Sequence, residues 1–122
     1  MKTSAKVVVI GGGVVGCSVL YHLTKMGWTD IMLIERSELT SGSTWHAAGG
    51  FHTLNADTNM AALQGYTIRL YRELEEITGM SCGLHHVGGV TLAGTQDRLD
   101  YLIAERAKHR YMGLDTQIIG PE

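Results

Sequence analysis

Long apolar runs, surplus charge, proline and cysteine are all scarce in this chain, and each shortage excludes something. No stretch approaches the roughly 18 apolar residues that a membrane-spanning helix needs. Ten Lys and Arg against twelve Asp and Glu leave a formal net charge of −2. That balance supplies no electrostatic reason to bind nucleic acid or an anionic membrane, and neither partner is expected. A single proline and the lack of low-complexity tracts argue against a disordered segment. No internal repeat is visible. The two cysteines, Cys17 and Cys82, are far apart and form no C-x-x-C pair. A disulfide framework is therefore not expected, and a reducing compartment is the simpler reading. The opening MKTSAK resembles neither a secretory signal nor an Arg-rich transit peptide, so the expected location is cytoplasmic.

What the chain has is glycine, 16 of them, and a core-forming hydrophobic content of 44 % in a length suited to one small domain. The glycines are most telling near the N-terminus. Lys6 to Ile10 reads KVVVI, a β-branched apolar run. Gly11, Gly13 and Gly16 follow at the spacing G-x-G-x-x-G, and an apolar helical pattern continues through Leu20 and Leu23. A second apolar run, Ile31 to Ile34, ends at Glu35, about 20 residues beyond the last glycine. Each part has a job in gripping a dinucleotide. Gly11 permits the tight turn, Gly13 lets the backbone approach a pyrophosphate, and Gly16 allows close helix–sheet packing. The helix start, with Val14 and Val15, turns free N–H groups and a partial positive charge toward the phosphates. Glu35 can accept hydrogen bonds from ribose hydroxyls and disfavours a 2′-phosphate. The fingerprint alone leaves FAD and NAD both open.

The rest of the chain reads as strand 6–10, helix 12–26, strand 31–35, a loop over 36–56, helix 57–78, strand 86–93, helix 96–112 and strand 116–119. Gly27, Gly79 and Gly113 are the expected helix stops, with Asp57 and Thr95 as N-caps. On the long helix, Met60, Leu63, Thr67, Leu70, Leu74 and Ile77 recur at helical spacing and predict one face packed on a sheet. The 36–56 loop is longer than the roughly 15 residues usual for a structureless connection, which marks it as functional. It leaves the second strand at the edge where open α/β sheets bind ligands. His52, His85, His86 and His109 lack metal-site spacing, so no metal is expected. Two strands and a helix cannot enclose a whole dinucleotide, so the expected fold is α/β, the Rossmann-like βαβ start of a larger dinucleotide-binding protein, incomplete in this chain. The division expected is 1–84 for part of the cofactor domain and 85–122 for the start of a substrate-domain sheet.

The loop carries Ser41-Gly42-Ser43-Thr44-Trp45-His46-Ala47-Ala48-Gly49-Gly50. With the glycine fingerprint and Glu35-Arg36, this string resembles the N-terminal part of the D-amino-acid-oxidase-like flavoproteins. More narrowly, it is similar to the dimethylglycine and sarcosine dehydrogenases. The resemblance runs over essentially the whole chain, including the Gly88-Gly89-Val90-Thr91-Leu92-Ala93 segment. It implies that the βαβ unit is the FAD-binding start of a two-domain flavoprotein, with FAD bound by the fingerprint residues together with Arg36, Ser43, Thr44, His46, Ala47, Ala48 and Gly49. It also implies a covalent bond from the histidine of the string, here His46, to the 8α-methyl carbon of the flavin. Imidazole suits that step, because a neutral ring nitrogen is a nucleophile near pH 7. Ser43 and Thr44 would offer hydroxyls to the pyrophosphate or ribityl chain. Ala47, Ala48, Gly49 and Gly50 are small enough for backbone to lie against a flat ring. Trp45 reads as a packing residue.

The implied reaction is hydride transfer from a substrate N-methyl group to the flavin, which carries the redox chemistry. The implied substrate is a small secondary or tertiary amine, and the acceptor is either an electron-transfer flavoprotein or oxygen. No catalytic acid or base can be named within this sequence. Three other readings compete: a flavin amine oxidase with another substrate, a catalytically silent regulatory relative, and an NAD-dependent dehydrogenase. An NAD enzyme has no need of the histidine-bearing loop, and a silent protein has no chemical need of His46.

Overall fold

A computed structural model describes residues 3–120. The elements in order are β1 (Val7–Ile10), α1 (Val14–Lys25), β2 (Ile31–Ile34), α2 (Thr58–Thr78) and α3 (Gln96–Tyr111). They fall into two compact units, one running up to Gly49 and the other beginning at Gly50.

The first unit is a βαβ crossover. β1 and β2 are parallel, with Val7 opposite Ile31 and Ile10 opposite Ile34. Parallel strands cannot be joined by a tight hairpin, and α1 supplies the connection. Side chains alternate across the sheet, so Val7, Val9, Ile31 and Leu33 share one face. That face is half-buried, while Ile10 on the opposite face is 85 % exposed. α1 lies against Val9 through Gly16, whose added Cβ would stand 3.5 Å from the Val9 Cγ1. The Asp30 carbonyl accepts from the Lys6 N–H at 3.0 Å and ties the start of β1 to the entry of β2.

In the second unit, Asp57 caps α2 by accepting from the Met60 N–H at 2.8 Å. Thr95 does the same for α3 through the Arg98 N–H at 3.2 Å. Left-handed glycines follow or end all three helices, at Gly27, Gly79 and Gly113. These stops and caps agree with the sequence reading. The helices themselves are shorter by up to two residues at an end.

The buried stripe of α2 keeps Leu70, with Thr67 and Leu74 half-buried, from the expected seam and departs from it at the helix ends. Ala61 and Leu70 are the buried apolar residues, whereas Met60, Leu63 and Ile77 are exposed. The stripe is rotated toward Gly65, Ile68 and Tyr71. What packs on it is not a sheet but the chain just before it. Phe51 meets Tyr71 edge-on, with centroids 4.9 Å apart. The methyl of Thr53 faces the space left by Gly65. Small residues, Ala61 and Gly65, share the packed face with Leu70 and Tyr71, and a search for large apolar side chains passes over the small ones.

The strands expected at 86–93 and 116–119 are not present. Near the first, the Val87 N–H turns back to the His85 carbonyl at 3.1 Å and Gly88 takes φ +71°. Arg72 Nε on α2 donates to His86 Nε2 at 2.9 Å. Near the second, Arg106 Nε takes the Thr116 carbonyl at 2.9 Å. An extended segment becomes a strand only when a neighbour satisfies its backbone groups, and among the described residues neither segment has one.

Candidate cofactor site

The site is built at the carboxyl end of β1. Gly11 N–H donates to the Ile34 carbonyl at 2.8 Å, which carries the sheet pairing one step past the strand. Gly11 then takes φ +102°, a conformation that disfavours any side chain. At Gly16 an added Cβ would run into the Gly11 carbonyl oxygen. The glycine spacing is thus a steric requirement of this turn.

α1 begins with Gly13 as its N-cap, which has no side chain to offer, and no acid lies in the first turn. The first amides of a helix have no intrahelical acceptor. Two neighbouring groups partly answer this. The Thr44 Oγ1 accepts from the Val14 N–H at 2.9 Å. The Glu35 Oε2 accepts from the Gly12 N–H at 2.6 Å, just before the cap. By position, the amides of Gly13, Val15 and Gly16 keep the orientation and partial charge that suit an anion.

Glu35 follows β2 and is half-buried. Its Oε1 also accepts from the Ser37 N–H at 3.0 Å. The Gly12 amide first, then those of Ser37 and Arg36 and the Arg36 charge, hold its carboxyl below the ordinary value of 4.5. Each carboxylate oxygen has two acceptor positions, so the three amides leave Glu35 able to accept a further hydrogen bond from a ribose.

From Glu35 the chain folds back over the glycine turn. The Thr40 N–H donates to the Gly12 carbonyl at 2.9 Å, and Thr40 itself takes φ +65°. Side-chain-bearing residues rarely adopt that region. Beyond it, successive tight turns link Gly42 to Trp45, Ser43 to His46 and Thr44 to Ala47, at 3.1, 3.2 and 3.3 Å. His46 is exposed on this coil, as are Arg36, Ser43, Ala47, Ala48 and Gly49. Gly49 has φ +71°. Trp45 is 77 % exposed and so does not pack as expected. Cys17 lies beneath the turn with its Sγ 3.5 Å from the Gly12 carbonyl.

The geometry therefore gathers Gly11, Gly13, Val14, Gly16, Glu35 and Thr44 by direct contact and carries His46 two residues beyond Thr44. Sequence reasoning missed Gly12, Leu39 and Thr40. Gly12 occupies a variable position of the fingerprint, yet a Cβ there would meet the side chains of Leu39 and Glu35. No local signal marks a threonine that must adopt positive φ. A surface hollow of about 530 Å³ beside Arg106 and Arg110 lies in the other unit and involves none of these groups.

The chain is 42 % identical to rat (Rattus norvegicus) mitochondrial dimethylglycine dehydrogenase over 99 % of its length. It is 39 % identical to human (Homo sapiens) mitochondrial sarcosine dehydrogenase, also over 99 %. It is equally 39 % identical, over 100 % of its length, to the mouse (Mus musculus) mitochondrial pyruvate dehydrogenase phosphatase regulatory subunit. The chain spans only 14 % of the first and third of these proteins and 13 % of the second. The FAD dependent oxidoreductase family is matched over residues 6–122, from the start of β1 onward. With nearly all of its length matched, the chain belongs to the FAD-dependent oxidoreductase family.

Proposed function

We propose that the chain is the N-terminal, FAD-binding portion of an enzyme that oxidises N-methylglycine-type amines, dimethylglycine or sarcosine, with FAD held covalently by His46. The observation that carries this reading is the placement of His46 on a coil tied to the amide-rich start of α1 through Thr44 and Val14. Dimethylglycine and sarcosine dehydrogenases among the relatives support the substrate class.

The residues present fit the cofactor. The turn at Gly11 is open, with nothing within 4 Å of an added Cβ. The amides of Gly13, Val15 and Gly16 suit a pyrophosphate, and no acid in the first turn opposes its charge. Glu35 suits the adenosine ribose, with Arg36 beside it. Ser43 and Thr44 supply hydroxyls, and Ala47, Ala48 and Gly49 keep the backbone slim. Bound FAD would supply the two-electron oxidation of the amine. The chain's own residues bind and orient it, and residues 85–122 begin the substrate domain. The acceptor is an electron-transfer flavoprotein or oxygen.

A regulatory role is the second reading. It is favoured by the regulatory subunit among the relatives, whose identity to this chain equals that of sarcosine dehydrogenase. One experiment separates the two. The full-length protein that contains this chain is expected to be yellow, to keep its flavin in the acid-precipitated pellet, and to reduce an artificial acceptor with dimethylglycine or sarcosine. A proteolytic peptide spanning His46 should carry the mass of FAD. Release of all flavin to the supernatant would remove the covalent link, and lack of turnover with either amine would favour the regulatory reading.

A further inference from the structure

The first amide of α1 is answered from outside the helix. The residue that begins a helix usually offers a side-chain acceptor to the second or third amide. Here Gly13 holds that position without a side chain, and the acceptor for the Val14 N–H is the Thr44 hydroxyl, 30 residues later. The two features fit each other. A Cβ on Gly13 would stand 3.1 Å from the Thr44 Oγ1, so the glycine leaves room for the threonine.

We propose that Thr44 is a positioning residue for the flavin link: its hydroxyl clips the His46-bearing coil to the first amide of α1. This rests on the reading of His46 as the flavin-bearing residue. The coil is anchored twice on the glycine turn, by the Thr40 N–H on the Gly12 carbonyl and by Thr44 on Val14. Downstream of Thr44 the side chains of Trp45 and His46 make no hydrogen bond among the described residues, and both are exposed. Thr44 is therefore the last side-chain tie before the imidazole. The tight turns that follow rise about 2 Å per residue, which keeps Thr44 and His46 about 4 Å apart along the coil. A hydroxyl that accepts from Val14 still has its own O–H to donate. Thr44 can thus hold a phosphate oxygen while remaining clipped, so the cofactor and the coil share one anchor.

The step that depends on this placement joins an imidazole nitrogen to the 8α carbon. A C–H bond of the methyl group and the N–H bond of the imidazole are broken, and one C–N bond forms. The two electrons and two protons released pass to dioxygen, giving hydrogen peroxide. Intramolecular placement governs the rate of such a bond formation, so loosening the coil should slow attachment even when all the FAD sites are filled.

The test uses the full-length apoprotein, saturating FAD and air. Flavin is measured in the acid-precipitated pellet against time, and total bound FAD before precipitation. Thr44→Val removes the hydroxyl at constant shape and should slow attachment about tenfold or more, the loss of roughly one good hydrogen bond. Thr44→Ser keeps the hydroxyl and should attach within about threefold of wild type, a span worth less than one hydrogen bond. Attachment by Thr44→Val at the wild-type rate, or slow attachment by Thr44→Ser, overturns the proposal. The serine variant decides the matter if the valine variant does not fold. If wild type itself leaves all its flavin in the supernatant, the His46 reading fails first, and that result is distinct from a failure of the clip.

Discussion

The carboxylate of Glu35 reaches back across the end of the sheet to take the Gly12 N–H at 2.6 Å. An acid at the end of the second strand thereby braces the glycine turn after the first. The same oxygen has a second acceptor position, so bracing the turn and holding a ribose are compatible tasks for one carboxylate.

Replacing Glu35 should therefore weaken cofactor binding through two routes at once. In the full-length protein with His46→Ala, to remove covalent retention, Glu35→Ala should reduce FAD affinity about ten- to a hundredfold. Equilibrium titration by flavin fluorescence reads this directly. Unchanged affinity would remove Glu35 from the site.

The lowered pKa of Glu35 sets the sign of a pH effect. Its folded pKa lies below the ordinary 4.5, chiefly through the Gly12 amide. The unfolded chain therefore takes up the proton first as pH falls. The stabilisation from this group is complete above 4.5 and is lost as pH drops below that value through the folded pKa. Thermal melts of wild type and Glu35→Gln should differ at neutral pH and converge in that acid range. A constant gap across the range would show that ionisation of Glu35 does not contribute.

Gly16→Ala should be far worse than Gly42→Ala. The first Cβ would enter the Gly11 carbonyl oxygen, and the second has nothing within 4 Å. Forcing an extra carbon into a close contact costs about 1–3 kcal/mol. Gly16→Ala should lower both the melting temperature and FAD occupancy, with Gly42→Ala close to wild type in melting temperature. Equal behaviour of the two would contradict the tight crossing of α1 over the turn.

The cap on α2 predicts a smaller and purely structural effect. Asp57→Ala removes the acceptor of the Met60 N–H and should cost about 1 kcal/mol. Asp57→Ser, which retains a capping oxygen, should recover most of it. Denaturant unfolding measures both, and an alanine variant as stable as wild type would show that water satisfies Met60 equally well.

Local chemistry in the sequence determined the βαβ start, the glycine turn, the helix ends and the family resemblance. A β-branched run, a glycine at a required positive φ, and an Asp or Thr before a helix act within a few residues of themselves. Their consequences at Gly11, Asp57 and Thr95 can be read without neighbours. Tertiary structure decided everything that needed a distant partner. It turned Glu35 inward to Gly12 and brought Thr44 to Val14 across 30 residues. It placed Thr40 in a left-handed conformation and rotated the packed stripe of α2 onto Ala61 and Gly65. Among the described residues, it also left 86–93 and 116–119 outside any sheet. A strand is defined by the hydrogen bonds its neighbour completes, so no property of those residues alone could decide whether they form one.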